Sequence, residues 1–202
     1  MRIDGAARNV LIVAAGLSLI AGRAAAADRQ VRPFVGATFG GSTTFVDPEI
    51  AAGTPNLVFG GSAVLLGEVF GAEVDVADAP GFFEAGGKGL VHLSRVTTVT
   101  GNVIIAAPHR MTEYSLRPYF VGGVGMMRVR TTTTFAVFDV SAVIPAIDAG
   151  AGVVAFLTNR VGFAGDIRRF QSVGSNTGNV GLSFGEEHLS FWRATAALVI
   201  RY

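Results

Sequence analysis

His188 and Ser190 are the residues of this chain best suited to nucleophilic catalysis, because they lie two apart and follow Glu186 closely. Side chains at i and i+2 of a β-strand project from the same face. A histidine can take the proton of a neighbouring serine hydroxyl, and a carboxylate can orient that histidine, as acyl hydrolysis requires. A histidine and a serine at a strand end are more commonly solvated rim residues. Both interpretations stay open, and we favour the rim.

Six charged residues are predicted to share the polar face of three strands, with three charges of each sign. They are Glu73, Asp75, Asp166, Arg168, Arg193 and Arg201. Paired carboxylates can perform acid–base chemistry, as they do in glycosidases. Here every carboxylate has a potential counter-ion, so we interpret the set as ion pairs that fill a narrow, closed interior. A narrow gated conductance past these charges is the alternative.

No metal, cofactor or nucleic-acid site is expected. The histidines at 92, 109 and 188 have no ligand spacing. Charged residues make up 15% of the chain and the formal net charge is +1, which leaves no basic surface for nucleic acid. Glycine pairs such as Gly122-Gly123 do not stand between a strand and a helix, so they do not predict a phosphate loop.

The C-terminal stretch, His188 to Tyr202, determines the predicted fold class. One parity contains Trp192, Ala194, Ala196, Leu198, Ile200 and Tyr202, and the other contains Arg193, Thr195, Ala197, Val199 and Arg201. A period of two is the strand period, and this strand is far longer than the ordinary five or six residues. One apolar face and one face with two arginines suit a wall with lipid outside and a polar interior.

The N-terminus predicts export. Arg2 and Arg8 precede an apolar segment, Val10–Ile20, and the sequence AGRAAAA then offers small residues for cleavage. The apolar segment is about half the roughly 20 residues that a spanning helix needs. We therefore expect a signal peptide at residues 1–27 and one mature domain at residues 28–202. The chain has no cysteine, which argues against a disulfide-stapled miniprotein and against a lipoprotein.

Seven more strands are predicted before the last one. They are Arg32–Gly41, two strands within Leu57–Ala79 that separate at Gly67-Glu68, Ser94–Pro108, Ser115–Thr131, Ala149–Leu157 and Val161–Phe170. Long connections are expected at Ser42–Asn56, Pro80–Gly89, Thr132–Asp148 and Gln171–Glu187, with short turns between them. The third of these connections is expected to contain a helical turn near Val140 to Ile147. The pattern predicts an all-β, eight-stranded, antiparallel, up-and-down transmembrane β-barrel.

The facing of the fifth strand is the most ambiguous. We expect Tyr119, Val121 and Met127 to point outward. The opposite parity, with Phe120, Val124 and Met126, is equally apolar.

A set of residues from Ala149 to the C-terminus carries a family resemblance. They are Gly150, Gly152, Phe156, Leu157, Thr158, Asn159, Arg160, Gly162, Asp166, Arg168, Phe170 and Tyr202, with looser matches at residues 70–83 and 118–126. This pattern resembles the small eight-stranded outer-membrane protein β-barrel domain, the OmpA/OmpX-like group of the porin-like superfamily. The resemblance implies a Gram-negative outer-membrane location. It also implies recognition of the C-terminal strand by the barrel-insertion machinery. We expect a structural, loop-displaying or weak porin-like role without enzyme activity.

Arg169 departs from that family, which usually has an aromatic residue at this position. By parity with Phe163 and Ile167 it faces lipid, which is tolerable at an interface. We expect Arg169, Trp192 and Tyr202 at the lipid interface, with the guanidinium of Arg169 on lipopolysaccharide phosphates. Outer-membrane lipid and lipopolysaccharide are therefore the expected partners.

Two other classes of function stay open. Glu186, His188 and Ser190 look like the arrangement in outer-membrane lipid A deacylases, which would make the protein a hydrolase. A soluble ligand-binding barrel of the lipocalin type is the second alternative. It would need an apolar interior and a polar exterior, the inverse of the predicted faces.

Overall fold

The computed structural model describes residues 28–43, 55–82, 91–108, 116–133, 140–173 and 189–202. They form eight strands: β1 Asp28–Thr43, β2 Asn56–Leu66, β3 Phe70–Pro80, β4 Val91–Ala106, β5 Leu116–Thr133, β6 Val140–Phe156, β7 Val161–Ser172 and β8 Leu189–Arg201. Across these ranges we find no helix long and apolar enough to cross a membrane. The predicted signal peptide lies outside the described residues.

The sheet closes on itself. Each strand pairs antiparallel with the next one, and β8 pairs with β1. At this seam Val31 lies opposite Ile200 and Phe39 lies opposite Trp192, and the register shifts between Phe39 and Ser42. Closure removes the unpaired sheet edges that would otherwise invite aggregation. The predicted eight-stranded, antiparallel, up-and-down barrel is confirmed.

Short turns define one end of the barrel, which we call the turn end. Gly67 donates its N–H to the carbonyl of Phe70 at 2.8 Å, so the predicted break at Gly67-Glu68 separates β2 from β3. A second turn, between β6 and β7, is held by the Thr158 hydroxyl, which accepts from the N–H of Val161 at 3.0 Å. β1 starts and β8 ends here, where Tyr202 donates its N–H to the carbonyl of Arg29. The opposite end is the loop end.

Alternation along each strand assigns one parity to the interior and the other to the outer surface. On β3, Glu73 and Asp75 are buried inside, whereas Phe70, Val74 and Val76 are exposed outside. A shift by one residue would exchange these faces, so the register of β3 is strongly specified.

The predicted facing of the fifth strand is wrong. Tyr119, Val121 and Met127 are buried in the interior, whereas Phe120, Val124 and Met126 are exposed. Glycines on the inward parity explain this facing. A Cβ at Gly123 would collide with Asn102, and a Cβ at Gly125 would collide with the β4 backbone at Val99. The narrow interior therefore needs the parity that contains these glycines.

The third long connection, Thr132–Asp148, is also wrong. β5 continues to Thr133 and β6 begins at Val140, so only residues 134–139 lie between them. Val140–Ile147, expected to include a helical turn, is strand paired with β5. The other expected long connections fall largely outside the described residues.

Candidate functional site: the charged lumen

The charged residues form a layer between two apolar clusters inside the barrel. On β3, Glu73 and Asp75 are followed toward the loop end by Ala77 and Ala79. The cluster on the loop side includes Phe34, Phe82, Met127, Phe170 and Phe191. The cluster on the turn side includes Val64, Ile104, Tyr119, Val154 and Val199. Apolar side chains therefore close the lumen on both sides of the charges.

Arg168 is the centre of one half of the layer. Its Nη1 lies 2.8 Å from Oε2 of Glu73, and its Nη2 lies 2.8 Å from Oδ2 of Asp166. Asn102 donates to Glu73 at 3.1 Å, while Thr195 donates to Asp166 at 2.9 Å. Glu73 on β3 and Arg168 on β7 belong to strands that are not neighbours. This ion pair therefore crosses the lumen.

Arg193 forms the other half. Its two terminal nitrogens each donate to Asp75, at 2.9 Å and 2.9 Å. Its guanidinium carbon lies 5.0 Å from the ring centroid of Phe34 and 4.7 Å from that of Phe170. Paired with a carboxylate and stacked on aromatic rings, this charge is compensated in the interior.

Arg201 does not join the layer, which corrects the predicted six-residue cluster. It pairs with Asp28 at 2.6 Å at the turn end, where both side chains are about one quarter exposed. Arg193 and Arg201 share a parity, but eight residues of strand separate them by roughly 26 Å. Parity predicts the face of a side chain and not its height in the barrel.

Asp148 belongs to the layer and was missed. It is buried, and its Oδ2 lies 4.0 Å from Nη1 of Arg168. Neither carboxylate oxygen accepts a hydrogen bond from any residue in the described part of the chain. It is the last residue of the predicted connection Thr132–Asp148. The sequence offered no alternation as a signal, because Val143, Ile144, Ala146 and Ile147 are all apolar; only the structure separates buried Ile144 and Ala146 from exposed Val143 and Ile147.

Two inward arginines near the turn end were also missed. Arg117 donates to the carbonyls of Gly67, Glu68 and Ala107, at 2.9, 2.6 and 2.7 Å. It therefore ties the β2–β3 turn to the end of β4. Arg32 donates to Oε1 of Gln30 at 2.7 Å and 3.0 Å. Arg32 has the same parity as Thr38 on β1, so the sequence predicts that it points inward. The sequence does not predict that Gln30 is its hydrogen-bond partner.

A small cavity lies next to Arg193, on the loop side of the layer. This cavity of about 10 Å³ is lined by Thr38, Val58, Ala77, Ala79, Val96, Thr98, Phe191 and Arg193. This volume has room for about one water molecule. The described residues contain no group of three or more His, Cys, Asp or Glu side chains that could hold a metal ion. In the described part of the chain the charged side chains of the layer are paired and at least partly buried, so the layer can compensate charge and brace the walls.

The expected lipid-facing residues lie on the outer surface. Arg169 is exposed on β7, and its guanidinium carbon lies 5.5 Å from the ring centroid of Trp192 on β8. Tyr202 is exposed at the turn end. The structure thus brings Arg169 and Trp192 together, near the start of β8, and places Tyr202 after the end of the same strand.

Of the three predicted catalytic residues, only Ser190 lies in the described part of the chain. Ser190 is buried near the start of β8, with 3% of its surface exposed, and its backbone lies opposite Gln171. Glu186 and His188 lie outside the described residues.

Several solved structures have the same fold at low sequence identity. Neisserial surface protein A matches with a TM-score of 0.63 and 11% identity, over 87% of this chain and 97% of that one. The N-terminal β-barrel domain of Pseudomonas aeruginosa OprF matches with a TM-score of 0.55 and 11% identity, over 87% and 97%. The outer membrane protein OprG of P. aeruginosa matches with a TM-score of 0.50 and 10% identity, over 88% and 96%.

No family model and no curated protein sequence matches this chain. The likeness therefore concerns the fold. Strand number, antiparallel closure and coverage of nearly the whole of each solved chain agree with one another. This chain has the fold of the small eight-stranded outer-membrane β-barrels, as the resemblance carried by residues 149–202 predicted.

Proposed function

We propose that this protein is an integral outer-membrane β-barrel with a closed lumen and a structural, loop-displaying role. The observation that carries the proposal is the contrast between its two faces. Outside are exposed apolar side chains such as Phe70, Phe120 and Phe163, and inside are paired charges between apolar clusters. Exposed apolar surface on this scale needs a lipid environment.

The same contrast argues against a soluble lipocalin-type barrel, which would need an apolar interior and a polar exterior. We include export by the N-terminal signal peptide in the proposal. Insertion through recognition of the C-terminal strand is the second component. The aromatic residues Phe191, Trp192 and Tyr202 in and after that strand support it.

A non-enzymatic role is a further part of the proposal. The low exposure of Ser190 is unfavourable for attack on a bulky acyl substrate. Lipopolysaccharide incubated with the purified protein should release no fatty acid. Acyl release that disappears in Ser190→Ala would instead support the hydrolase.

Conductance is the test of the closed lumen. In planar lipid bilayers, the folded protein should give currents close to those of protein-free membranes, because paired charges and apolar clusters fill its lumen. A large general porin serves as the open reference. Sustained porin-like currents would contradict the closed lumen and favour the porin-like variant of the role.

A further inference from the structure

On several strands, the outward-facing apolar run ends in a charged residue at its loop end. On β5 the exposed residues Phe120, Val124 and Met126 are followed by Arg128 and Arg130. On β4 the outward parity changes from Ile105, Val103 and Val99 to Thr97 and Arg95. On β4 and β5 the charges therefore begin where the apolar run stops, on the side away from the short turns, whereas on β6 the register partner of Arg128 is the exposed Val143.

Three of these arginines are neighbours across the β4–β5 pair, and we call Arg95, Arg128 and Arg130 the arginine patch. Arg95 is the register partner of Arg130, and Thr97 is the partner of Arg128. Arg128 and Arg130 lie two apart on one strand and so share a face. All three are exposed.

The patch has one described counter-charge. Asp78 on β3 accepts from Nε of Arg95 at 2.8 Å and pairs with its Nη2 at 2.7 Å. Among the described residues, Arg128 and Arg130 form no ion pair. Like charges directly opposite on neighbouring strands are destabilising. An anion with several negative charges would relieve this repulsion and match the geometry of guanidinium groups.

We propose that the arginine patch binds the phosphate groups of lipopolysaccharide in the outer leaflet. This inference rests on the proposed function, because the membrane orientation puts the loop end outside. A phosphorylated lipid then presents its phosphates directly above its acyl chains. The patch likewise lies directly beyond the apolar run that would contact those chains. Arg169 is separate from this site, because it lies on β7 over Trp192.

The test compares the purified protein in vesicles of phosphatidylcholine alone and in vesicles that also contain lipopolysaccharide. The variant is Arg128→Gln with Arg130→Gln, which removes two charges and keeps polar side chains. The matched control is Arg29→Gln with Arg160→Gln, because both arginines are exposed at the turn end. There are two readouts. The first is the midpoint temperature of unfolding, measured from gel mobility after heating. The second is the amount of lipopolysaccharide that stays bound after detergent extraction.

Lipopolysaccharide should raise the unfolding midpoint of the parent and of the control. The patch variant should lose most of that rise. It should also retain at least about tenfold less lipopolysaccharide than the parent, because two charge-assisted contacts are gone. In phosphatidylcholine alone the control should unfold like the parent, and the patch variant should unfold at the same or a slightly higher temperature, because loss of the Arg130 charge relieves its repulsion with Arg95. Dephosphorylated lipopolysaccharide should give the parent no rise.

A full rise in the patch variant, or an equal loss in the control, would overturn the inference. So would an equal rise when soluble polyphosphate is added to phosphatidylcholine vesicles, because the occupant would then be a free polyanion. Failure of the proposed function looks different. In that case the parent gives no heat-dependent mobility shift in either kind of vesicle.

Discussion

Arg193 is a fully buried cation whose surroundings explain how a barrel this narrow tolerates charge. It contacts one carboxylate and two aromatic rings, and it joins β8 to β3 across the lumen. Replacing both partners of such a pair by apolar groups can be neutral, but removing one leaves a buried charge without compensation.

Arg193→Gln should therefore lower the free energy of unfolding by about 3–5 kcal/mol. Urea unfolding of the protein in lipid vesicles measures this loss. Adding Asp75→Asn to the variant should recover part of it, because the buried carboxylate of Asp75, left with only Arg168 at 4.0 Å, is then removed.

Arg201→Gln is the matched control, since its pair with Asp28 is partly exposed. It should cost about 1 kcal/mol or less. Equal losses for Arg193→Gln and Arg201→Gln would show that the layer has no special role.

For single residues, strand periodicity predicts which side chains point inward, but it does not predict which of them meet. Strand alternation was sufficient to predict that Glu73, Asp75, Asp166, Arg168 and Arg193 point inward. Parity alone groups Arg201 with them, and only its spacing of eight residues from Arg193 indicates a different position along the barrel axis. The partner that each charge meets depends on the registers of all eight strands. Asp148 was missed for a different reason, namely that its strand was interpreted as a loop.

In the β4–β5 pair, a glycine on one strand allows close approach of the other strand. Thr100 lies opposite Gly125, and Gly101 lies opposite Val124. A Cβ at Gly125 would collide with the carbonyl oxygen of Val99 and lie 2.6 Å from Cα of Thr100. A Cβ at Gly101 would meet nothing within 4 Å. The two glycines are neighbours in the strand pairing, but only Gly125 lacks space for a side chain.

Gly125→Ala should destabilise the barrel by about 1–3 kcal/mol, the usual cost of overpacking. Gly101→Ala should be neutral or stabilising by up to about 1 kcal/mol, because alanine loses less backbone entropy than glycine. The same urea titration compares them. The explanation by close approach of the strands is wrong if Gly125→Ala is as stable as Gly101→Ala.

β6 marks the limit of element prediction from this sequence. Thr132–Asp148 was predicted to be a connection, yet Pro145 and Asp148 both lie within this strand. Pro145 faces outward, where Val173 donates to its carbonyl at 2.8 Å near the end of the β6–β7 ladder. A proline at such a position removes no ladder hydrogen bond that β7 would need. This distinction requires knowledge of where the neighbouring strand stops.

The molecule as a whole has an apolar outer surface, and on β4, β5 and β7 the outward apolar run is followed by an arginine on the loop side. On β5 this change occurs between Met126 and Arg128, and on β7 it occurs between Ile167 and Arg169. Such a surface is stable in a lipid layer and would aggregate in water. The closed fold and the facing of β3, β7 and β8 could be predicted from strand periodicity and strand number. The facing of β5 could not, because both of its parities are apolar.

A lipid-facing arginine should be tolerated at the end of the barrel and costly in the middle. Val124→Arg introduces a charge where the parent side chain is 67% exposed on the outer face, and it should cost about 2–4 kcal/mol in vesicles. Leu157→Arg lies in the turn after β6 and should cost about 1 kcal/mol or less. In a soluble barrel, Val124→Arg would leave stability unchanged and improve solubility.

Membrane fractionation, with each fraction run boiled and unboiled on a detergent gel, tests the central claim most directly. The account predicts recovery in the outer-membrane fraction, with an unboiled band that migrates differently from the boiled one because the closed barrel resists unfolding. Recovery as a soluble protein without a boiling-dependent shift would contradict a lipid-facing barrel.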